Sequence, residues 1–329
     1  MKAVTYAEYG PPDVLRITEV ATPTPRDNEA LIRVHAAAVT TTDVDLRGGD
    51  KLMRLAFGLR KPKRPVLGTE FAGEIAAVGK NVTRFTAGDR IFAATGASFG
   101  AHAQYLCLPE DEALARMPAN ASFAEAAAIA EGGLTALPFL RDTGKIRPGQ
   151  RVLINGASGA VGSSAVQIAK HFGAVVTGVC GPRNVERVAA LGADAVIDYS
   201  QADFTRNGKT YDIIFDAVGK SSFARCKGSL TPAGVYMATV PSLKLLANVL
   251  RTSRFGSKKA RVSATGMRPP AKKAKDLAIL RELTEGGAFI PVIDGVYPMA
   301  RIADAHRRVE TGHKTGSVVM TLHDGAESD

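Results

Sequence analysis

Apolar residues follow two rhythms along this 329-residue chain. Up to about residue 120 they fall in short runs at 2–6, 14–20, 29–38, 71–78, 90–94 and 101–108, separated by Pro, Gly and Asp. Short runs bounded by turn residues predict the strands of a β-rich, partly closed barrel. Gly73, Gly79, Gly88 with Asp89, and Gly100 mark its bends. A further apolar group, Leu52, Met53, Leu55, Ala56 and Phe57, reads equally as a lid or as a helix packed on the barrel.

Beyond residue 150 the rhythm becomes an alternation of strand and helix. Val152, Leu153 and Ile154 form the apolar run of a strand buried on both faces. A helical stripe follows at Val161, Ala165, Val166, Ile168, Ala169 and Phe172, ended by Gly173. The next strand covers 174–179, and the alternation continues with a helix at 185–191, strands at 195–197 and 211–216, a helix at 223–230 and a strand at 234–239. That order predicts a doubly wound parallel sheet, so the fold class is α/β with a β-barrel beside it.

The turn between the first strand and helix, residues 156–162, reads Gly-Ala-Ser-Gly-Ala-Val-Gly. It departs from a strict GxGxxG, because Ala157 stands where the first glycine belongs and Gly156 precedes it. Gly159 allows close approach to the backbone, and Gly162 allows the helix to pack tightly on the strand. A strand, a glycine-rich turn and a helix N-terminus in succession form a dinucleotide pyrophosphate site. Ser158, Gly159, Ala160 and Val161 are its expected binding residues. An NAD site carries an acid about 20 residues past the turn; residues 179–184, Val-Cys-Gly-Pro-Arg-Asn, have none. Arg183 is therefore expected to meet a 2′-phosphate, with Gly181 beside it among the cofactor-binding residues, which makes the expected cofactor NADPH; the alternative for Arg183 is a solvated helix-start residue. Ligands bind beyond the carboxyl ends of the strands, which adds Tyr199, Val218, Thr239 and Val240.

Composition narrows the picture further. Hydrophobic content of 45% supports globular cores, and the length suits about two domains. No uninterrupted apolar run reaches membrane-spanning length, and residues 1–10 lack the apolar stretch of a secretion signal. Cys107, Cys180 and Cys226 are widely spaced, which suits a reducing cytoplasm and no disulfide framework. The net charge is +10, and the span 241–275 holds ten bases and no acid, so the rest of the chain is neutral on balance. That basic stretch reads first as a solvated excursion of the sheet domain. Contact with nucleic acid or a weak contact with an anionic membrane are the alternatives. Phe255 is its one aromatic residue, so a base-stacking platform is missing and nucleic acid is not expected as a partner.

Several landmarks occur in order: 1–15, MKAVTYAEYGPPDVL; 33–39, RVHAAAV; 65–73, PVLGTEFAG; Val78-Gly79; 85–90, FTAGDR; Leu134-Thr135-Ala136; the glycine turn; 191–194, LGAD; and 312–319, GHKTGSVV. In these the chain resembles the medium-chain dehydrogenase/reductase superfamily, and within it the zinc-free quinone oxidoreductase, zeta-crystallin-like branch. The resemblance implies a GroES-like catalytic domain over 1–122 and 289–329 with a Rossmann domain over 123–288 inserted. It also implies a homodimer joined through the Rossmann sheet around Met237. Zinc-using relatives place Cys and His where this chain has Thr40 and Thr69, and hydroxyls are poor zinc ligands, so no metal is expected. His35 and His102 are then structural. Thr40 and Asp43 stand where substrate meets the nicotinamide, with a helix cap as the alternative for Asp43. Thr135 resembles a residue that contacts the nicotinamide, and Lys314 lies in the last landmark and joins the cofactor residues.

Without a metal, hydride goes most readily to acceptors that delocalise the resulting charge. The expected activity is NADPH-dependent reduction of quinones or α,β-unsaturated carbonyl compounds, with a small molecule as substrate. Reduction of enoyl thioesters or lipid alkenals is the first alternative. A cofactor-binding protein that uses the basic 244–275 segment on nucleic acid or membrane is the second.

Overall fold

In the computed structural model, residues 1–49, 54–55 and 57–323 are described. Leu52, Met53 and Ala56 of the expected lid lie outside them. Two compact units emerge: Met1–Glu131 with Gly266–Glu285 and Pro291–Asp329, and Gly132–Thr265 with Gly286–Ile290.

The first unit begins with a hairpin, β1 (Lys2–Thr5) against β2 (Arg16–Glu19). The long β3 (Glu29–Val39) follows, with alternating burial at its start and continuous burial from Ala36 to Val39. Helix α1 (Thr41–Gly48) leads on to β4 (Glu70–Val78), β5 (Arg90–Ala94), β6 (Tyr105–Pro109) and β7 (Ala113–Arg116). The expected strand at 101–108 starts only at Tyr105. Before it, buried His102 binds Ala38 O at 3.0 Å and Ala103 makes an isolated bridge to Ala3.

Helix α2 (Phe123–Pro138) continues as a π-helical turn to Gly144. Although no single apolar run in it is that long, this stretch has the length and average hydropathy of a membrane span; 78% of it is buried inside the protein, as in a core helix.

The second unit is a six-stranded parallel sheet of β8 (Arg151–Asn155), β9 (Val175–Cys180), β10 (Ala195–Asp198), β11 (Tyr211–Asp216), β12 (Leu230–Ala238) and β13 (Lys259–Arg261). Its order is β10-β9-β8-β11-β12-β13, the doubly wound order that reverses between β8 and β11. The connecting helices are α3 (Ala160–His171), α4 (Val185–Ala190), α5 (Phe223–Cys226) and α6 (Leu243–Arg254). The helix expected over 223–230 stops at Cys226, because Lys227–Ser229 tighten into a 3₁₀ turn and Leu230 already begins β12. Met237, expected near a subunit contact, is fully buried with its side chain beside Gly144, and β13 rather than β12 forms the sheet edge.

Helix α7 (Pro270–Glu285) groups with the first unit, as do residues 123–131, so the unit boundaries differ from the expected 122 and 289. The α7 face carrying Leu277 and Leu280 is buried, Asn120 Nδ2 donates to Thr284 O at 3.1 Å, and Ala119 N donates to Glu285 Oε1 at 3.1 Å. Amphipathic spacing predicts that such a helix buries one face, but not which sheet receives it. The chain ends with β14 (Ile293–Pro298), α8 (Ile302–Glu310) and β15 (Ser317–Thr321). Strand β15 pairs with β3, which completes the sheet β14-β15-β3-β4-β5-β7 around a core that includes Ile32, Phe71, Ile75 and Val318.

The second unit depends on glycine at the start of α3. A Cβ on Gly162 would stand 2.0 Å from Gly156 O and 2.9 Å from Ala157 Cα. Alanine gains up to about 1 kcal/mol of helix propensity, whereas overpacking against fixed backbone costs about 1–3 kcal/mol. Gly162→Ala is therefore expected to lower the urea midpoint of the cooperative unfolding transition; a midpoint equal to the parent's would show that the turn does relax.

Candidate functional site

The expected cofactor residues of the second unit gather at the carboxyl ends of its strands. Gly156 has φ +81, and a Cβ there would strike Val218 Cγ1 at 2.4 Å. Gly159 is the N-cap of α3 with no side-chain capping bond, and a Cβ on it would find only Gly156 O, at 3.7 Å. The first-turn N–H groups of Ala160 and Val161 thus face open space beside Ser158, with the positive end of the helix dipole behind them. A pyrophosphate fits this cradle, because no side chain competes for its donors.

At the end of β9, Tyr199 sits over Gly181: its hydroxyl lies 3.0 Å from where a Gly181 Cβ would stand, so glycine there leaves room for the ring. Arg183 is exposed in the turn Pro182–Asn184 and has no ion-pair partner among the described residues. One acid does stand nearby. Asp198 ends β10 opposite Cys180, but it accepts from Ser200 N at 2.9 Å and Ser200 Oγ at 2.8 Å. Thr239 Oγ1 donates to Ala217 O at 3.1 Å, and Val240 packs on Gly219, whose φ is +65. Val218, Thr239 and Val240 are therefore neighbours, as the strand-end rule expects.

Asp216, which the sequence reading did not single out, organises these loops. It is fully buried at the end of β11. Asn155 Nδ2 donates to its Oδ1 at 2.9 Å; Ser221 N donates to its Oδ2 at 2.8 Å, and the Tyr236 hydroxyl does so at 3.1 Å. Strands β8 and β11 are in register at Asn155 and Asp216, so this carboxylate closes the sheet where its order reverses. Burial and Asp216 hold the Tyr236 hydroxyl protonated. Thr135 lies half-buried on α2, one turn beyond Gly132. At Gly132 a Cβ would meet Ser164 Oγ at 2.1 Å and Ala160 O at 2.4 Å, so glycine lets α2 approach the first turn of α3.

The other expected residues belong to the first unit. Thr40 caps α1 and Asp43 completes a capping box. The Thr40 hydroxyl donates to Asp43 Oδ2 at 2.7 Å and accepts from Asp43 N at 3.2 Å. Asp43 Oδ2 also accepts from Thr40 N at 2.8 Å, and Oδ1 from Gly68 N at 2.9 Å. Of the two roles open for Asp43, the structure makes the cap: the side chain is fully buried, both oxygens are engaged, and it positions Thr40. Thr40 keeps its hydroxyl, but that proton already belongs to Asp43.

Thr69 donates its hydroxyl to the neighbouring Glu70. Burial lifts the Glu70 carboxyl from 4.5 to about 7; the Thr69 bond opposes this, the charges of Asp43 and Glu131 add to it, and Lys273 opposes it. Lys314 gives its ammonium to Glu131 Oε1 at 2.6 Å, with both side chains mostly buried. The sequence reading did not single out Glu131. His35 stacks on Phe123 with ring centroids 4.1 Å apart, and burial lowers it to about 4, so it stays neutral in the structural role expected of it. Among the described residues no group of three His, Cys, Asp or Glu side chains could hold a metal ion.

Comparison with known proteins agrees with this architecture. Residues 26–139 match the alcohol dehydrogenase GroES-like domain and residues 191–320 the zinc-binding dehydrogenase family. The chain is 32% identical to the chloroplastic quinone-oxidoreductase homolog of Spinacia oleracea, over 97% of this chain and 98% of that protein. The quinone oxidoreductase structure from Coxiella burnetii superposes with a TM-score of 0.87 at 27% identity, covering 98% of this chain and 99% of that one. The Escherichia coli quinone oxidoreductase complexed with NADPH does so with a TM-score of 0.83 at 27% identity, covering 98% and 100%. With both domains matched and relatives aligned from end to end, the chain belongs to the quinone oxidoreductase branch of the medium-chain dehydrogenase/reductase superfamily and is an oxidoreductase.

Proposed function

We propose that this oxidoreductase reduces quinones or α,β-unsaturated carbonyl compounds with NADPH and without zinc. The observation that carries the reading is the uncapped α3 N-terminus at Gly159, with exposed Arg183 at the end of β9. When bound, NADPH supplies the hydride. The N–H groups of Ala160 and Val161 hold its pyrophosphate, and exposed Arg183 meets the 2′-phosphate. The relative solved with NADPH supports the same choice.

Thr40 and Thr69 support zinc independence. Both hydroxyls are committed to carboxylates, and neither replaces the thiolate or imidazole that zinc takes up. Without a Lewis acid the acceptor must spread the charge itself, as quinones and enones do. Such a reduction consumes a proton as well as a hydride. Glu70, half-buried and near half-protonation at neutral pH, stores one beside Thr69. Expected at chelator-treated, purified enzyme is NADPH consumption with a panel of quinones and enones. Turnover that returns only on adding zinc overturns the zinc-free reading.

Two further outcomes are expected. Arg183→Ala removes a charge-assisted contact of about 1.5–3 kcal/mol, which weakens NADPH binding by roughly 10- to 100-fold and leaves NADH nearly unchanged. Fluorescence titration with both nucleotides checks this, and equal losses for the two would count against a 2′-phosphate site. Glu70 also links stability to pH. Its folded value, about 7, lies above the ordinary 4.5, so the folded state holds the extra proton between these values. Stability from this group is full below about 4.5 and is lost as pH rises through 7. Glu70→Gln should flatten the fall in urea midpoint between pH 5 and pH 8; parallel profiles for the two proteins would refute the raised carboxyl.

A further inference from the structure

We propose that the exposed face of α6 docks this protein onto an anionic lipid bilayer. The surface lies wholly within the second unit and is independent of the reductase reading. Helix α6 is built and anchored without a partner. Ser242 Oγ caps it by accepting from Leu245 N at 3.1 Å. Its inner face packs Leu245 into the core, and buried Thr252 Oγ1 accepts from Ala260 N of β13 at 3.0 Å.

The outer face is apolar where a solvated helix would be polar. Leu243, Leu246 and Leu250 are 86%, 46% and 59% exposed, and Phe255, just past the helix, is 71% exposed. The three leucines follow the i, i+3, i+7 spacing, so they form one ridge along the helix. Exposed Lys244, Arg251 and Arg254 run beside that ridge, and none is ion-paired among the described residues. An apolar ridge flanked by lysine and arginine is the form of a helix lying in the headgroup region, leucines in the acyl boundary and cations at the phosphates.

Other occupants fit less well. A second copy related by a two-fold axis would bring the same bases against themselves. Nucleic acid would use the cations but leave the leucines in water, and Phe255 alone makes no stacking platform. An acidic protein groove grips a helix from several sides, but Leu245 and Thr252 are buried, so α6 offers only a ridge. A bilayer is the flat, apolar and negatively charged acceptor that the ridge matches.

The test is co-sedimentation of the full chain with phosphatidylcholine vesicles, with and without phosphatidylglycerol. Binding is expected only to the anionic vesicles and should weaken steeply as salt rises. Leu246→Ser with Leu250→Ser should weaken it roughly ten-fold or more. Lys244→Glu with Arg254→Glu should abolish it. Each variant should keep the parent's thermal midpoint and its turnover of soluble substrate, since the replaced side chains are exposed and lie outside the catalytic machinery. No binding to anionic vesicles at low salt overturns the proposal. So does binding that follows the bases but ignores the leucines, which single-stranded RNA would share. A light-scattering mass that halves on leucine substitution would assign the ridge to a second copy and overturn it equally.

Discussion

The second unit is organised around a place where no side chain fits. Gly162 brings the first turn of α3 so close to Gly156 O that a Cβ would overlap it at 2.0 Å. The first turn of α3 therefore packs directly on the turn that leaves β8, and its N-cap carries no capping side chain. Gly132 imposes the same condition from the other side, drawing α2 against Ala160 O and Ser164. Three backbones thus converge on one helix turn. That turn gains donors for an anion because protein groups are excluded from it, including any capping side chain at Gly159. Unsatisfied N–H groups usually count against a helix; here, with the dipole behind them, they suit an anion.

Buried carboxylates complete the constraint that glycine begins. Asp216 gathers Asn155, Ser221 and Tyr236 at the reversal of sheet order. Asp43 gathers Thr40 and Gly68 in the first unit. Asp216 sits where β11 gives way to a loop, and Asp43 in the first turn of α1, where it ties the helix start to Gly68. A buried carboxylate is tolerable only when its oxygens are satisfied, so these loops have little freedom. Glu131 is less fully paired: Oε1 takes Lys314, while buried Oε2 has no hydrogen-bond partner. Burial raises Glu70 most, and the charge of Glu131 adds to it.

Local requirements were legible in the sequence and long-range pairings were not. The turn at 156–162 could be read because positive φ, close approach and an open helix end each demand glycine within a few residues. Strand and helix alternation gave five of the six parallel strands, whereas α6 and β13 lie in the basic span read as a solvated excursion; Asp43 was readable as a helix cap. Asp216 looked like the polar end of an apolar run, because nothing local distinguishes a solvated aspartate from one that holds a sheet junction. Lys314 and Glu131 are 183 residues apart and meet only through the fold. Helix α7 shows a further limit. Its apolar spacing is explicit, but residues 266–285 group with the first unit through contacts with β7 and β5 that no pattern within the helix specifies.

The threonines at 40 and 69 bear on how a dehydrogenase scaffold changes its chemistry. A zinc site concentrates positive charge, which keeps nearby carboxylates ionised. Replacing its ligands with hydroxyls removes that charge but leaves Asp43, Glu70 and Glu131 within electrostatic reach of one another. Like charges in a poorly solvated place cannot all remain ionised. The Asp43 carboxylate accepts three hydrogen bonds and Glu131 pairs with a lysine, whereas Glu70 has one hydroxyl bond and Lys273 at longer range; burial first, and then the charges of Asp43 and Glu131, raise its carboxyl. On the proposed zinc-free reading, Glu70 is the group that supplies the proton which reduction of a conjugated acceptor consumes.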